Sequence, residues 1–351
     1  MTARVPRVAL APGYEVSRII KGGWQLAGGH GAVDRGVALD DMDAFVESGV
    51  TTFDCADIYT GVEALIGEYL ARVRARGGAA AAGKVQVHTK CVPDLDRLPR
   101  LTRADIAATV TRSRERLGVE AIDLVQLHWW DYDAGDVLEA ARWLDQLRRD
   151  GVLRHIGLTN FDLPHVRDLV GCGVPIRSHQ LQYSLLDRRP SREMAAFCAA
   201  NGIALLAYGA LAGGFLSERW RGQKAPAEPL ENRSLVKYRL IVDECGGWDY
   251  LQALLDALHV TAAKQRVSIG AVAIRWVLDQ PGVAAAIVGA RDRRHLADVI
   301  ASLSIVLDDA DRARIGAVLA SAPGPSGDVY ALERIKGGRH AAIMRYNLQQ
   351  G

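Results

Sequence analysis

Apolar and polar positions along this chain fall into two alternating rhythms. Short apolar or β-branched runs read as buried strands, and each is followed by a longer amphipathic stretch that reads as a helix. The pairs are Arg18–Ile20 with Leu39–Ser48, Thr51–Asp54 with Val62–Val73, Val85–Lys90 with Thr102–Leu117, and Ile122–His128 with Val137–Arg149. They continue with His155–Thr159 and a helix after Pro164, His179–Gln182 with Arg192–Ala200, Ile203–Ala207 with Ile269–Asp279, and Val283–Val288 with Arg293–Ser302. Each crossover being helical, the strands must run parallel, and eight such units close a (β/α)8 TIM barrel. A doubly wound open sheet has the same alternation but favours a glycine fingerprint at its first strand-to-helix turn. The glycine-rich stretch Lys21–Gly31, KGGWQLAGGHG, does not supply it, because Asp34 stands where the third glycine of G-x-G-x-x-G belongs.

Local signals punctuate the pattern. Thr102 precedes a first turn containing Asp105, and Gly118, Gly151 and Gly202 stand where helices should stop. The chain reads as one domain over 1–351, with its barrel core at about 18–305. Two stretches fall outside the repeat: a polar insertion at Ser217–Gly247 after the seventh strand, and a tail at Pro323–Gly351 expected over the barrel mouth. Both are candidates for lids. An extra helix is expected at Tyr250–Lys264.

Composition narrows the classes. With 351 residues, 49% apolar, 24% charged and a net charge of +2, the chain suits a globular protein and carries no broad cationic face for nucleic acid. No apolar run approaches the roughly 18 residues of a membrane span. The five cysteines form no C-x-x-C pair, so no metal site is expected, and reduced thiols fit a cytoplasmic protein.

Barrel topology converts strand ends into a map, because active sites of TIM barrels lie at the carboxyl ends of the strands. Asp54, Lys90, His128, Asn160 and Tyr208 follow or end successive strands, and Gln180 lies within the sixth. Burying an Asp, a Lys and a His at one mouth requires mutual pairing, which makes the set a stronger pointer than any member.

At these positions the sequence resembles the aldo-keto reductase superfamily over nearly its whole length. TTFDCADIY resembles that family's F-D-T-A-x-x-Y block, VQVHTK its lysine block and DLVQLHW its histidine block. GLTNF, HQLQYSLL, AYGALAGGFLS and IVGARDRRHL follow in the family's order. The resemblance implies a catalytic tetrad of Asp54, Tyr59, Lys90 and His128. In that role Tyr59 protonates the alkoxide formed by hydride transfer, Lys90 pulls the tyrosine toward the phenolate, Asp54 orients Lys90, and a neutral His128 orients the carbonyl. It further implies a substrate wall of Trp24, Trp129 and Trp130.

The cofactor implied is NADPH, with NADH possible. Thr159, Asn160 and Gln180 would hold the nicotinamide carboxamide, Tyr208 would stack on its ring, and Gly23 and Trp24 would lie beside the ribose. Leu211 and Gly213 would run along the pyrophosphate, with Gly289, Ala290, Arg291 and His295 at the adenosine end. Val288, His295 and Val299 replace residues common in the family, while Arg291, Arg293 and Arg294 offer charge for a 2′-phosphate. The expected activity is reduction of a small aldehyde or ketone, or the reverse oxidation of a sugar-type alcohol. Two other readings remain open at this stage: a cofactor-sensing regulatory subunit of the potassium-channel β type, and a Schiff-base lyase using Lys90. The sequence leaves the oligomeric state open.

Overall fold

The computed structural model describes residues 4–289 and 292–348. A two-stranded antiparallel hairpin, β1 (Arg7–Ala11) and β2 (Tyr14–Ser17), precedes the barrel. The barrel strands are β3 (Ile19–Gly22), β4 (Thr52–Asp54), β5 (Gln86–Cys91), β6 (Ile122–Leu127), β7 (Leu153–Thr159), β8 (Ile176–Gln182), β9 (Ala204–Tyr208) and β10 (Val283–Val288). They pair in parallel, and β10 closes the ring onto β3. The eight strands expected from the apolar pattern are thus all present, shifted at their ends by a few residues.

Helices α1 (Arg35–Glu47), α2 (Val62–Ala82), α3 (Arg103–Leu117), α4 (Val137–Arg149), α5 (Leu163–Gly171) and α6 (Met194–Ala200) follow β3 to β8 in turn. After β9 come α7 (Arg233–Glu244), α8 (Gly247–Gln265) and α9 (Ile269–Leu278). After β10 come α10 (Leu296–Ala301), α11 (Asp309–Ala320), α12 (Ala331–Arg334) and α13 (Arg339–Ala342). Side-chain caps start most of the long ones: Asp34, Thr102, Asp136, Asp162, Asn232, Ser268 and Asp308 each accept a backbone N–H of the first turn. Thr102 and Asp105 form a reciprocal capping box, and Gly118 ends α3 at φ +63°, a left-handed conformation that favours glycine.

Three elements depart from the sequence expectation. The hairpin β1–β2 lies outside the eight strand-helix pairs of the apolar pattern. The segment at 217–247 is not a structureless insertion but holds α7, whose Leu235, Tyr238, Ile241 and Val242 are buried at helical spacing. Finally, α11 extends the helical shell beyond position 305. The tail does lie over the mouth: Arg334 donates to the carbonyls of Trp129 (2.8 Å) and Asn160 (2.9 Å).

Pleating puts successive side chains on opposite faces of each strand. Along β5, Thr89 points outward and donates to Glu63 of α2 at 2.6 Å, while Lys90 points inward to Asp54. A cavity of about 690 Å³ is lined by the hairpin together with Gln86, Asp123 and Arg154, which stand at or near the starts of β5, β6 and β7. It therefore lies at the opposite end from the strand-end residues. Among the described residues, no helix is long and apolar enough to cross a membrane, and no group of His, Cys, Asp and Glu could hold a metal ion.

Candidate active site

Asp54 ends β4 and its side chain is buried. Its Oδ2 accepts from Lys90 Nζ at 2.6 Å, and its Oδ1 accepts from Gln126 Nε2 at 3.0 Å and Gln180 Nε2 at 2.6 Å. Lys90 also donates to the carbonyl of Cys55 at 2.8 Å. Burial disfavours the Lys90 ammonium, but Asp54 outweighs it and holds the amine above its ordinary range, so it stays charged. Gln126, absent from the sequence-based set, completes this buried network. Its place on β6 two residues before His128 puts it on the same inward face, a signal the sequence contains.

Tyr59 sits in the loop after β4, half-buried, with its ring centroid 5.1 Å from Lys90 Nζ and 5.1 Å from the Trp24 ring. Burial raises its hydroxyl above the usual tyrosine range, and Lys90 pulls the other way without cancelling it. The expected tilt toward phenolate is thus reversed: desolvation of the anion outweighs the nearby cation. A protonated hydroxyl at neutral pH is what a proton donor requires.

His128 is 3% exposed, and burial with the charge of Arg334 brings its imidazole down to about 3, so it is neutral across the physiological range. Its Nδ1 lies 3.2 Å from the carbonyl of Thr159. That contact requires the proton on Nδ1 and leaves Nε2 an acceptor, and Nε2 is buried with no partner. In this tautomer His128 accepts from a hydroxyl rather than donating to a carbonyl.

Of the two tryptophans after His128, both expected in the substrate wall, one stands beside the imidazole and the other does not. Trp129 is 0% exposed, and its indole N–H donates to the carbonyl of Ala134 at 3.1 Å, so it belongs to the core and not to a substrate wall. Trp130 stands edge-on to His128 at 4.3 Å between ring centroids, with its Nε1 buried and unpartnered. The strand ends at Leu127, so alternation no longer dictates which ring faces the mouth.

The cofactor candidates gather along β7 to β10. Asn160, at φ +63°, accepts from Tyr208 Oη at 2.8 Å. Gln180 turns its amide N–H groups onto Asp54 and Gln126. Thr159 is buried, and its carbonyl holds His128. Gly213, at φ +66°, has no room for a Cβ, which would meet Tyr238 at 2.7 Å and the Ser234 carbonyl at 3.0 Å; Leu211 is half-buried beside it. Gly23 is equally confined, by Val62 at 2.8 Å and the Asp54 carbonyl at 2.9 Å, so its bareness serves the packing of β3 against β4. At Gly289 a Cβ would strike the Gln25 amide at 2.1 Å. His295 is exposed, and Ala290 and Arg291 lie outside the described residues. Arg293 pairs with Asp41 at 3.3 Å and Arg294 with Asp292 at 2.7 Å.

Comparison with known proteins agrees with this geometry. The Aldo/keto reductase family model matches residues 18–320. The NADH-specific methylglyoxal reductase of Escherichia coli is 26% identical over 322 residues, covering 84% of this chain and 92% of that protein. The chloroplastic pyridoxal reductase of Arabidopsis thaliana is 30% identical over 272 residues, covering 74% and 70%. The solved structure of a glycerol dehydrogenase from Gluconobacter oxydans superposes with a TM-score of 0.73 at 26% identity, covering 93% of this chain and 97% of that one. With the eight-stranded parallel barrel and a family match over most of its length, the chain belongs to the aldo/keto reductase family.

Proposed function

We propose that this oxidoreductase reduces aldehyde or ketone carbonyls to alcohols, or oxidises a sugar-type alcohol in reverse, with Tyr59 as the proton donor. The observation that carries the reading is the buried Lys90–Asp54 pair beneath a protonated Tyr59, next to a neutral His128. A reduced nicotinamide, held by Asn160, Gln180 and Tyr208, would supply the hydride when bound. Tyr59 Oη gives its proton to the developing alkoxide, and the Lys90 ammonium stabilises the phenolate left behind. Asp54 keeps Lys90 charged and in place. The alcohol O–H then has an acceptor in His128 Nε2. A charged Lys90 is no nucleophile, which disfavours the Schiff-base alternative.

For the cofactor, the reading takes NADPH with NADH as its competitor. Arg294, 79% exposed in its pair with Asp292, is free to turn to a 2′-phosphate, whereas Arg293, 60% exposed, pairs with the buried Asp41 and is held more firmly. The Escherichia coli relative, an NADH-specific methylglyoxal reductase, points the other way. Steady-state absorbance at the reduced-nicotinamide band, with NADPH and NADH against aromatic aldehydes, quinones and sugars, tests both statements. Turnover of none of them with either cofactor overturns the function, and a kcat/KM favouring NADH overturns the cofactor preference.

A further inference from the structure

The C-terminal tail brings a charge to the mouth that the tetrad chemistry leaves unused. Arg334 ends α12, half-buried, with its guanidinium over the rings of Tyr132 (4.3 Å) and Tyr330 (5.1 Å). Its Nη2 clamps the carbonyls of Trp129 and Asn160, and its Nη1 reaches the Tyr330 carbonyl at 3.4 Å. Its Nε–H is buried without a partner.

No carboxylate of the described residues forms an ion pair with Arg334, although acidic groups surround it. Glu333 faces Arg189 (3.5 Å) and Lys237 (3.8 Å), Asp131 faces Lys336 (3.0 Å), Asp162 faces His165 (2.5 Å), and Asp187 is held bidentately by Arg189. Asp131, Asp187 and Glu333 thus face other cations, Asp162 faces a histidine and Asp328 takes backbone N–H groups, so Arg334 keeps no ion pair of its own. A partly desolvated guanidinium without a counter-ion is costly, as is a buried N–H without an acceptor. Trp130 Nε1–H is a second buried donor without an acceptor, on the ring that stands against His128. The Tyr330 ring, 5.7 Å from His128, joins the two donors around the catalytic imidazole.

We infer that the substrate's carbonyl is accompanied by a carboxylate, bound by Arg334 with Trp130 Nε1–H as a further donor, so that the enzyme favours oxo-carboxylates over neutral carbonyls. The inference rests on the carbonyl-reductase reading. It assigns Arg334 and Trp130 to specificity and leaves the tetrad chemistry unaltered. With Nη1 and Nη2 held by carbonyls, Nε–H is the free donor, and it meets the carboxylate in one charge-assisted hydrogen bond; the positive charge also helps keep His128 neutral.

The test compares 4-carboxybenzaldehyde with benzaldehyde as substrates of the full-length wild type, Arg334→Met and Arg334→Lys. The wild type is expected to prefer the carboxylate, Arg334→Met to lower the ratio of the two kcat/KM values by roughly 10- to 100-fold, and Arg334→Lys to restore part of it. A ratio unchanged by Arg334→Met, with both substrates weakened together, leaves Arg334 a carbonyl clamp and overturns the inference. Benzoate binding, read by tryptophan fluorescence without turnover, separates this idea from the activity itself. If neither aldehyde turns over yet benzoate binds in an Arg334-dependent way, the subsite stands and the reductase reading falls. Equal benzoate binding by wild type and Arg334→Met overturns the subsite.

Discussion

One oxygen of Asp54 accepts from the Lys90 ammonium and the other from the amides of Gln126 and Gln180, so a single carboxylate ties together β4, β5, β6 and β8. Replacing it with Asn removes the counter-charge while nearly preserving shape, and leaves Lys90 buried with only the Cys55 carbonyl. Asp54→Asn is expected to lose ~3 kcal/mol or more of stability in urea unfolding, with a matching fall in kcat. A variant as stable as wild type would show that the pair is dispensable to the fold. Tyr59→Phe is expected to abolish turnover while cofactor binding, followed by tryptophan fluorescence, stays within about twofold of wild type. Because burial holds the hydroxyl above the ordinary tyrosine value, the rate of reduction should be level through neutrality and fall only at pH above the range where an ordinary tyrosine titrates. An alkaline limb near pH 8 would mean that Lys90 prevails over burial. Much of this cluster is legible in the sequence, since Asp54, Lys90 and His128 stand at strand ends where barrel topology gathers them. Tyr59 and the roles of Trp129 and Trp130 are not, because loops lack the periodicity that tells which side chain turns inward.

At the scale of elements, the strand-helix rhythm is readable because a parallel sheet covered by helices needs continuous apolar runs, such as Val283–Val288, which is buried throughout. The hairpin Arg7–Ser17 escapes that reading because its strands are short and only partly buried. Helix α7 escapes for a different reason: charged residues interrupt RSLVKYRLIVDE, although Leu235, Tyr238, Ile241 and Val242 keep helical spacing. What α7 contributes is a lid over the Ala212–Gly214 turn, with Tyr238 and the Ser234 carbonyl pressed on Gly213. Gly213→Ala would force a Cβ into that contact at a left-handed φ, costing about 1–3 kcal/mol locally. If the cofactor runs past this turn, the variant should bind NADPH at least several-fold more weakly in a fluorescence titration, while kcat at saturation changes little. Unaltered affinity would place the pyrophosphate elsewhere.

For the whole molecule, the same burial that tunes the site sets a pH limit on the fold. His88, His128 and His179 are at most 3% exposed and are pushed down to about 4, about 3 and about 3, chiefly by burial. Each binds a proton more readily unfolded, near 6.5, than folded, so stability falls as pH drops below the unfolded value. The loss at pH 5 is on the order of 2 kcal/mol for each histidine. Asp57 and Asp123, raised by burial, act in the opposite sense, so the contribution of one histidine is cleanest by difference. His88 is the suitable choice: it sits inside the barrel, bonded to Tyr14 of the hairpin at 2.8 Å and separate from the tetrad's hydrogen bonds. His88→Gln keeps a polar partner for Tyr14 but cannot titrate. Its unfolding free energy should change between pH 7 and pH 5 by about 2 kcal/mol less than that of wild type. Equal changes in the two proteins would mean that His88 is protonated in the folded barrel, and that the barrel interior admits more water than its packing implies.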